Sequence, residues 1–66
     1  MSVLKVLEIL SNSEVSWEDA TKKAIKKASK TIKGIKSANV QNQSVVVEGD
    51  EVVEYRINLK VSFEVE

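Results

Sequence analysis

Three acidic residues around a tight turn have the types and the spacing that could bind a metal ion. Glu48, Asp50 and Glu51 flank Gly49, and carboxylate oxygens are ligands that calcium takes in proteins. Acidic residues at the tip of a hairpin are also typical of a turn that is only solvated. The sequence therefore leaves a calcium site and a solvated turn open as alternatives.

Two residue types that are common in catalytic sites, cysteine and histidine, are absent from this chain. It contains no cysteine and no histidine, which excludes disulfide bonds, thiolate and imidazole metal sites, and any general base or nucleophile that depends on histidine. Nothing else in the sequence pairs a nucleophile with a base. We therefore expect a binding or structural protein and not an enzyme.

Positive and negative charges are separated along the chain, although they balance to a net charge of zero. Up to Lys36 there are eight lysines and four acidic residues, and from Ser37 onward there are two basic and six acidic residues, giving balances of +4 and −4. These halves should attract each other or a neighbouring copy. The lysines could contact phosphates, but no aromatic residue lies among them to stack on bases, so we expect no nucleic-acid partner.

Three strands and one helix must position these groups. Residues 53–65 alternate apolar and polar side chains throughout, which predicts a strand. The aliphatic and β-branched run Val3–Leu10 predicts a first strand, and the polar residues Ser11-Asn12-Ser13-Glu14 after it predict a turn. Ser16, three residues before Asp19, resembles a capping box. It predicts a helix from Trp17 to Lys33 that ends at Gly34.

The predicted helix has one apolar and one basic face. The apolar stripe consists of Trp17, Ala20, Ala24, Ile25, Ala28, Ile32 and Ile35, and the opposite side carries Lys22, Lys23, Lys26, Lys27, Lys30 and Lys33. Small residues along the stripe would let the helix lie close to a sheet. Trp17, at the start of this stripe, is interpreted as an anchor of the core or of an interface.

A second strand over Ser37–Glu48 is followed by Gly49 and Asp50, a two-residue loop of the type II′ kind. If Glu48 pairs with Glu51, the expected pairs are Val46 with Val53, Val40 with Leu59 and Ala38 with Val61 on the core side, and Gln43 with Arg56, Gln41 with Asn58, Asn39 with Lys60 and Ser37 with Ser62 on the polar side. Asn42 and Ser44 then fall on the core side. That conflict predicts a bulge near them.

These elements predict an α+β fold in a single domain, residues 1–66, with the order β1-α-β2-β3. A three-stranded antiparallel sheet with the last strand in the middle should curl around one helix, because that helix would span ~25 Å and the last strand ~43 Å. Apolar ends such as Phe63 and Val65 should be covered by another copy of the chain. The absence of a membrane-spanning apolar run leads us to expect a soluble, cytoplasmic protein with no membrane partner.

At this point the sequence resembles a known family. The segments that carry the resemblance are Lys5-Val6-Leu7-Glu8-Ile9, Ser13-Glu14-Val15-Ser16-Trp17-Glu18-Asp19-Ala20, Lys30-Thr31-Ile32 and Tyr55-Arg56-Ile57-Asn58-Leu59-Lys60-Val61-Ser62-Phe63. Together they resemble a dodecin over essentially the whole chain. The resemblance implies a β1-α-β2-β3 subunit in a hollow homododecamer, and a role in storing or buffering flavins such as riboflavin, FMN or FAD.

The resemblance also implies a place for the ligand, with altered chemistry. In flavin-binding dodecins a Trp at the start of the second strand stacks on the isoalloxazine ring and a Gln in the last strand bonds its edge; the matching residues here are Ser37 and Arg56. Ser37 offers no aromatic face, and Arg56 donates hydrogen bonds without accepting any. The candidate altered flavin site comprises Ser37, Arg56 and Asn58. The alternatives are an ion-binding, calcium-type shell and a purely structural one, and for Arg56 a ladder ion pair with Glu54 or with an acid of another copy.

Overall fold

The computed structural model describes residues 3–65, so Met1, Ser2 and Glu66 of the predicted domain lie outside the described residues. Its elements are β1 (Val3–Ser13), α1 (Trp17–Ala28), β2 (Ile35–Glu48) and β3 (Glu51–Val65). The strands form one antiparallel sheet in the order β1-β3-β2. The predicted fold class, element order and central position of the last strand are therefore confirmed.

β1 is longer than the predicted strand Val3–Leu10. Its pairing with β3 continues as far as Ser13, which lies opposite Tyr55, and the hydroxyl of Ser11 donates to the carbonyl oxygen of Ala20 at 2.9 Å. Residues 11–13, which were predicted to lie in a turn, are thus held in the sheet by pairing with β3 and by a hydrogen bond to the helix. The turn itself follows Ser13.

α1 begins at Trp17 as predicted, and Ser16 is confirmed as its N-cap because its Oγ accepts from the backbone N–H of Asp19 at 2.9 Å. The second half of the capping box is different. Asp19 is one methylene shorter than the usual Glu, and its carboxylate accepts from the hydroxyl of Ser13 at 2.6 Å. Ser13 Oγ in turn accepts from the backbone N–H of Ser16 at 3.4 Å. This bond from Ser13, followed by the contact with Lys23, lowers the pKa of Asp19.

The predicted helix end was wrong, because α1 ends at Ala28 and not at Lys33. The hydroxyl of Ser29 donates to the carbonyl of Ile25 at 2.8 Å, and Lys30 N–H bonds the Lys27 carbonyl at 3.2 Å in a tighter turn. Such local hydroxyl bonds compete with helix propagation. Gly34, at φ +78°, lies just before β2, where its carbonyl accepts from Glu64 N–H at 3.0 Å. Ile35, which was assigned to the helical stripe, belongs to β2.

The core is small and lies between α1 and the central strand. Its fully buried members are Ala20, Ala24, Ile57, Leu59 and Val61. The two alanines let the helix backbone approach the sheet, and the alternate residues of β3 fill the space beneath it. Because side chains alternate along a strand, Arg56, Asn58, Lys60 and Ser62 point to the opposite, helix-free face.

The hairpin between β2 and β3 contains two compensating bulges. Glu48 pairs with Glu51 as predicted, and Gly49 has the positive φ, +65°, that a type II′ turn needs at this position. Val53 is then unpaired in β3, so Val46 lies opposite Glu54 and not opposite Val53. Gln41 is unpaired in β2, and the predicted register returns from Val40 to Ser37; Lys36 is then unpaired, and Ile35 lies opposite Phe63.

The register between the two bulges differs from the predicted one by a single residue. Ser44 pairs with Arg56, Asn42 with Asn58 and Gln43 with Ile57, whereas the predicted pairs of Val40, Asn39, Ala38 and Ser37 with Leu59, Lys60, Val61 and Ser62 are confirmed. Asn42 and Ser44 consequently lie on the helix-free face. The bulge predicted from their polarity is confirmed, and Gln43 is moved to the helix side.

The hairpin extends beyond the rest of the fold. β3 has no β1 partner before Tyr55 among the described residues, and the helix begins beside that residue. Residues 46–53 therefore form a two-stranded hairpin arm at one end of a molecule whose Cα atoms span 50 × 20 × 13 Å.

Candidate functional site

A shallow polar cavity of about 470 Å³ lies on the helix-free face of the sheet. All three strands contribute to it. Its outward-facing lining consists of Leu10 and Asn12 from β1, Asn42 and Ser44 from β2, and Arg56 and Asn58 from β3. Five of these six side chains can hydrogen-bond, so the cavity suits a polar ligand.

The Gln41 bulge places two of these residues in the cavity. Without it, Asn42 and Ser44 would point toward the helix, because a shift of one residue reverses the facing of a strand segment. With it, Ser44 lies beside Arg56 and Asn42 beside Asn58. On the other side of β3, Asn12 pairs with Arg56 and Leu10 with Asn58.

Asn58 provides an acceptor that the protein itself does not use. Its side-chain Oδ1 is buried and has no hydrogen-bond partner within residues 3–65. Leaving such an atom unsatisfied costs about 1–3 kcal/mol, and unsatisfied buried polar atoms are few in native proteins. Oδ1 is closed to solvent in this conformation, so a ligand that donates a hydrogen bond would remove that cost once the Asn58 amide turns toward the cavity.

Arg56 provides a charged donor next to this acceptor. Its side chain is exposed, and the ion pairs of the described chain are Lys22 with Glu18 and Lys23 with Asp19, so the predicted alternative of a pair with Glu54 is not formed. Glu54 accepts instead from the side-chain amide of Asn12. The five N–H donors of the guanidinium are left available at the cavity.

Ser37, the third residue of the predicted site, lies on the same face but not in the same place. It pairs with Ser62, with which it shares a hydroxyl hydrogen bond. Ser62 is six residues from Arg56 along β3, which is about 20 Å in a strand. Within one subunit the structure therefore brings Arg56 and Asn58 together but not Ser37, which could join them only from another copy.

The aromatic side chains lie on the other face of the sheet. Trp17 and Tyr55 pack edge to face, with ring centroids 5.3 Å apart and an interplanar angle of 78°, and Trp17 is packed against the core. The helix-free cavity has no aromatic ring among its lining residues. For a flavin, Arg56 and Asn58 fit the polar edge of the ring system, whereas a stacking surface is missing.

The three candidate metal ligands do not converge. Glu48, Asp50 and Glu51 are exposed at the tip of the hairpin arm. Among residues 3–65 there is no group of three His, Cys, Asp or Glu side chains arranged to hold a metal ion. A calcium site that uses these acids would need ligands from elsewhere.

Sequence reasoning missed four lining residues of the cavity. Asn42 and Ser44 carried a signal, because their polarity on the expected core side pointed to the bulge that moves them. Asn12 was assigned to a turn and Leu10 to the end of its strand, so neither was placed beside β3.

No helix in the described part of the chain is both long and apolar enough to cross a membrane.

Comparison with known sequences identifies relatives of this chain. A family model described as Dodecin matches residues 3–66. A calcium dodecin from Mycobacterium tuberculosis is 40% identical over 63 residues, covering 96% of this chain and 89% of that protein.

Solved structures resemble the fold throughout. A variant of the dodecin from Thermus thermophilus superposes with a TM-score of 0.93 at 29% identity, covering 100% of this chain and 98% of that one. The calcium dodecin from M. tuberculosis, described with a novel calcium-binding site, gives a TM-score of 0.85 at 37% identity, with 98% and 93% covered. A dodecin from Streptomyces coelicolor, at 23% identity and a TM-score of 0.93 over 98% of this chain and 93% of that one, shows the fold alone.

Proposed function

The chain belongs to the dodecin family, and on that basis we propose that it forms a cytoplasmic homododecameric shell that stores a small polar ligand on the helix-free faces of its sheets. Dodecins are small binding and storage proteins. The observation that carries the proposal is the Oδ1 of Asn58, which has no hydrogen-bond partner within residues 3–65. It lies in one polar cavity with the guanidinium of Arg56, which forms no ion pair with the same residues.

The two side chains define the chemistry of the ligand. Arg56 only donates and Asn58 Oδ1 only accepts, so the matching ligand has an N–H donor next to carbonyl or anionic oxygens. The pyrimidine edge of a flavin has this pattern. Because no aromatic ring lines the cavity, we expect riboflavin and FMN to bind through their edge and more weakly than stacking would allow.

The apolar surface of the subunit supports assembly. On the helix-free side of β1, Leu4, Val6 and Leu10 are 52%, 58% and 76% exposed. Glu8 interrupts this row between Val6 and Leu10, but exposed apolar side chains in such number on one strand favour a protein contact. A core of five buried apolar residues is also small for an independent domain of this length.

Calcium is the second candidate ligand, favoured by the 40% identity to a calcium dodecin. The acids at the tip of the hairpin arm would contribute to such a site only together with a neighbouring copy, since they form no metal-binding cluster with other side chains of residues 3–65. Arg56 at the polar cavity disfavours a cation there. The two candidates therefore use different places on the subunit.

Titration separates these possibilities. Riboflavin, FMN and calcium are titrated into the purified protein, with flavin fluorescence and calorimetry as readouts and native mass spectrometry for the assembly. We expect Asn58→Ala to weaken flavin binding about tenfold, the equivalent of one hydrogen bond. Asn39→Ala, on the same face but outside the cavity, is the matched control. Equal flavin affinity in the wild type and the Asn58 variant would contradict the proposed site, and calcium binding with no flavin binding would favour the second candidate.

A further inference from the structure

We infer that the hairpin arm of one copy docks into the groove between α1 and β1 of a second copy. The inference rests on the proposed self-assembly and names a pair of surfaces that would make one of its contacts. It follows from the composition of the arm, from the lining of the groove, and from the distance between them.

The hairpin arm, residues 46–53, combines an acidic tip with an exposed apolar pair. Its sequence contains Glu48, Asp50 and Glu51 and no basic residue. Directly behind the tip, Val47 and Val52 lie opposite each other and are 54% and 47% exposed. The arm therefore presents negative charge and apolar surface together.

The groove between α1 and β1 combines the complementary features. This cavity, of about 640 Å³, is lined by the apolar residues Ile9, Leu10, Ala24, Ala28 and Ile32, by Lys23 and Lys27, and by the uncharged polar residues Ser11, Asn12 and Thr31. Lys23 is 3.2 Å from Asp19, whereas Lys27 has no acidic partner within residues 3–65. Residues 20–47 contain seven lysines and no acidic residue, so the pairs of Lys22 with Glu18 and of Lys23 with Asp19 neutralise only part of this positive charge within residues 3–65.

The two surfaces match in two independent ways. The valines of the arm suit the apolar floor of the groove, and its carboxylates suit the lysines beside that floor, an arrangement that orients partners and fixes register. A soluble polyanion would neutralise the lysines but would leave the apolar floor exposed. The arm accounts for both parts of the surface.

A hairpin arm that lies in this groove belongs to a second copy, because the arm cannot reach the groove of its own chain. Ile9 in the groove pairs with Leu59, which is eight residues beyond Glu51 along β3, or about 26 Å. The contact joins two different surfaces, so it repeats from copy to copy and closes into a finite assembly when the rotation allows it.

Charge reversal tests this contact. The arm variant is Glu48→Lys with Glu51→Lys, and the groove variant is Lys23→Glu with Lys27→Glu. The matched control, Lys22→Glu with Lys26→Glu, makes the same charge change on the same helix outside the groove. Native mass spectrometry and light scattering measure assembly across a concentration series, in EDTA because the acids of the arm are also candidate calcium ligands, and circular dichroism reports folding.

We expect the arm and groove variants each to need about tenfold or more protein for half-assembly than the wild type, while the control assembles normally. Mixing the two variants should give mixed oligomers, and a chain with both reversals should assemble on its own. Wild-type assembly in both variants would overturn this contact while leaving the proposed shell intact. An effect of the groove variant alone would also overturn it, because another partner would then cover the groove. A wild type that stays monomeric would overturn the shell itself and this contact with it.

Discussion

The indole Nε1 of Trp17 donates a hydrogen bond to the backbone carbonyl oxygen of Ser44 at 3.0 Å. The first residue of the helix is thereby fixed to the strand segment that the Gln41 bulge turns toward the cavity. Trp17 lies on one side of the sheet, and the side chain of Ser44 lines the cavity on the other. The anchor of the core and the wall of the candidate site are thus one connected unit.

Trp17→Phe tests this connection. Phenylalanine can keep the packing against Tyr55 but cannot donate to Ser44, so we expect a loss of about 1 kcal/mol in the free energy of unfolding. Urea denaturation followed by circular dichroism, at one fixed protein concentration, measures it. Val15→Ala, at an exposed apolar position, is the control and should change stability little. A Phe variant as stable as the wild type would show that the bond contributes nothing.

The bond between Ser13 and Asp19 predicts a dependence of stability on pH. The pKa of Asp19 is lowered from its ordinary value of 3.8, so its contribution is fully present above that value and is lost as the pH falls through the lower folded-state pKa. Chemical denaturation of the wild type and of Ser13→Ala should therefore differ above pH 4 and converge in stronger acid.

Glu18→Gln is the control for this pH dependence. Glu18 pairs with Lys22 through an exposed contact of 3.1 Å, and such pairs contribute little. Its profile should follow that of the wild type. The difference in unfolding free energy between wild type and Ser13→Ala could instead stay constant down to the most acidic condition in which the protein is folded. Ser13 would then act through the hydrogen bonds that it accepts from backbone N–H groups and not through Asp19.

Gly49→Ala isolates the conformational requirement of the hairpin turn. Gly49 has φ +65°, and nothing lies within 4 Å of the position of an added Cβ, so any loss of stability comes from backbone strain alone. We expect about 1–2 kcal/mol. Asp50→Ala, at the neighbouring turn position without a positive φ, should change the free energy of unfolding by less than ~0.5 kcal/mol. Equal effects of the two substitutions would argue against the type II′ turn.

The double substitution Ser37→Trp with Arg56→Gln should strengthen riboflavin binding. The tryptophan supplies a stacking surface with about 0.5–1.5 kcal/mol beyond its area burial, and the glutamine amide supplies both a donor and an acceptor. Quenching of riboflavin fluorescence should show tighter binding by the pair than by either substitution alone. No gain in the double variant would mean that the shape of the pocket has diverged as well as its two side chains.

The distance between the two residues adds a control. Since they are about 20 Å apart within a subunit, the gain should need the assembled protein. It should disappear when the double substitution is placed on a subunit that cannot assemble. A gain that persists in a monomer would place the ligand elsewhere.

Side-chain alternation made the sheet predictable, and local hydroxyl chemistry limited the rest. The unbroken alternation around Leu59 fixed the central strand and the face of Arg56. The polarity of Asn42 and Ser44 showed that a bulge was needed. It did not show that Gln41 would be the unpaired residue, because a bulge at a neighbouring position would turn the same two side chains to the polar face. The helix end was missed because the hydroxyl of Ser29 bonds the carbonyl of Ile25 and α1 ends at Ala28, six residues before the glycine that was taken as the stop signal.

The candidate site was harder to predict because it is a property of three strands. The alternation of side chains along a strand assigns a residue to one face of the sheet, but it does not show which residues of the other strands surround it. Arg56 and Asn58 were on the right face from the sequence alone, yet the part of β1 beside them was assigned to a turn. The burial of Asn58 Oδ1 depends on the packing of that whole surface and has no signature in the spacing of the residues.

The two bulges of the hairpin are register shifts that compensate for each other, because each lies in a different strand. The unpaired Val53 advances β3 by one residue, and the unpaired Gln41 advances β2 by one residue in compensation. Between these two bulges the pairing differs from the predicted register by one residue, and a separate shift at Lys36 affects only Ile35. Deleting Gln41 would remove only the unpaired residue and would keep Asn42 opposite Asn58 and Ser44 opposite Arg56. Deleting a residue between the bulges would instead turn part of β2 to the other face. We therefore expect single-residue deletions in the hairpin to be tolerated better at Gln41 or Val53 than between them.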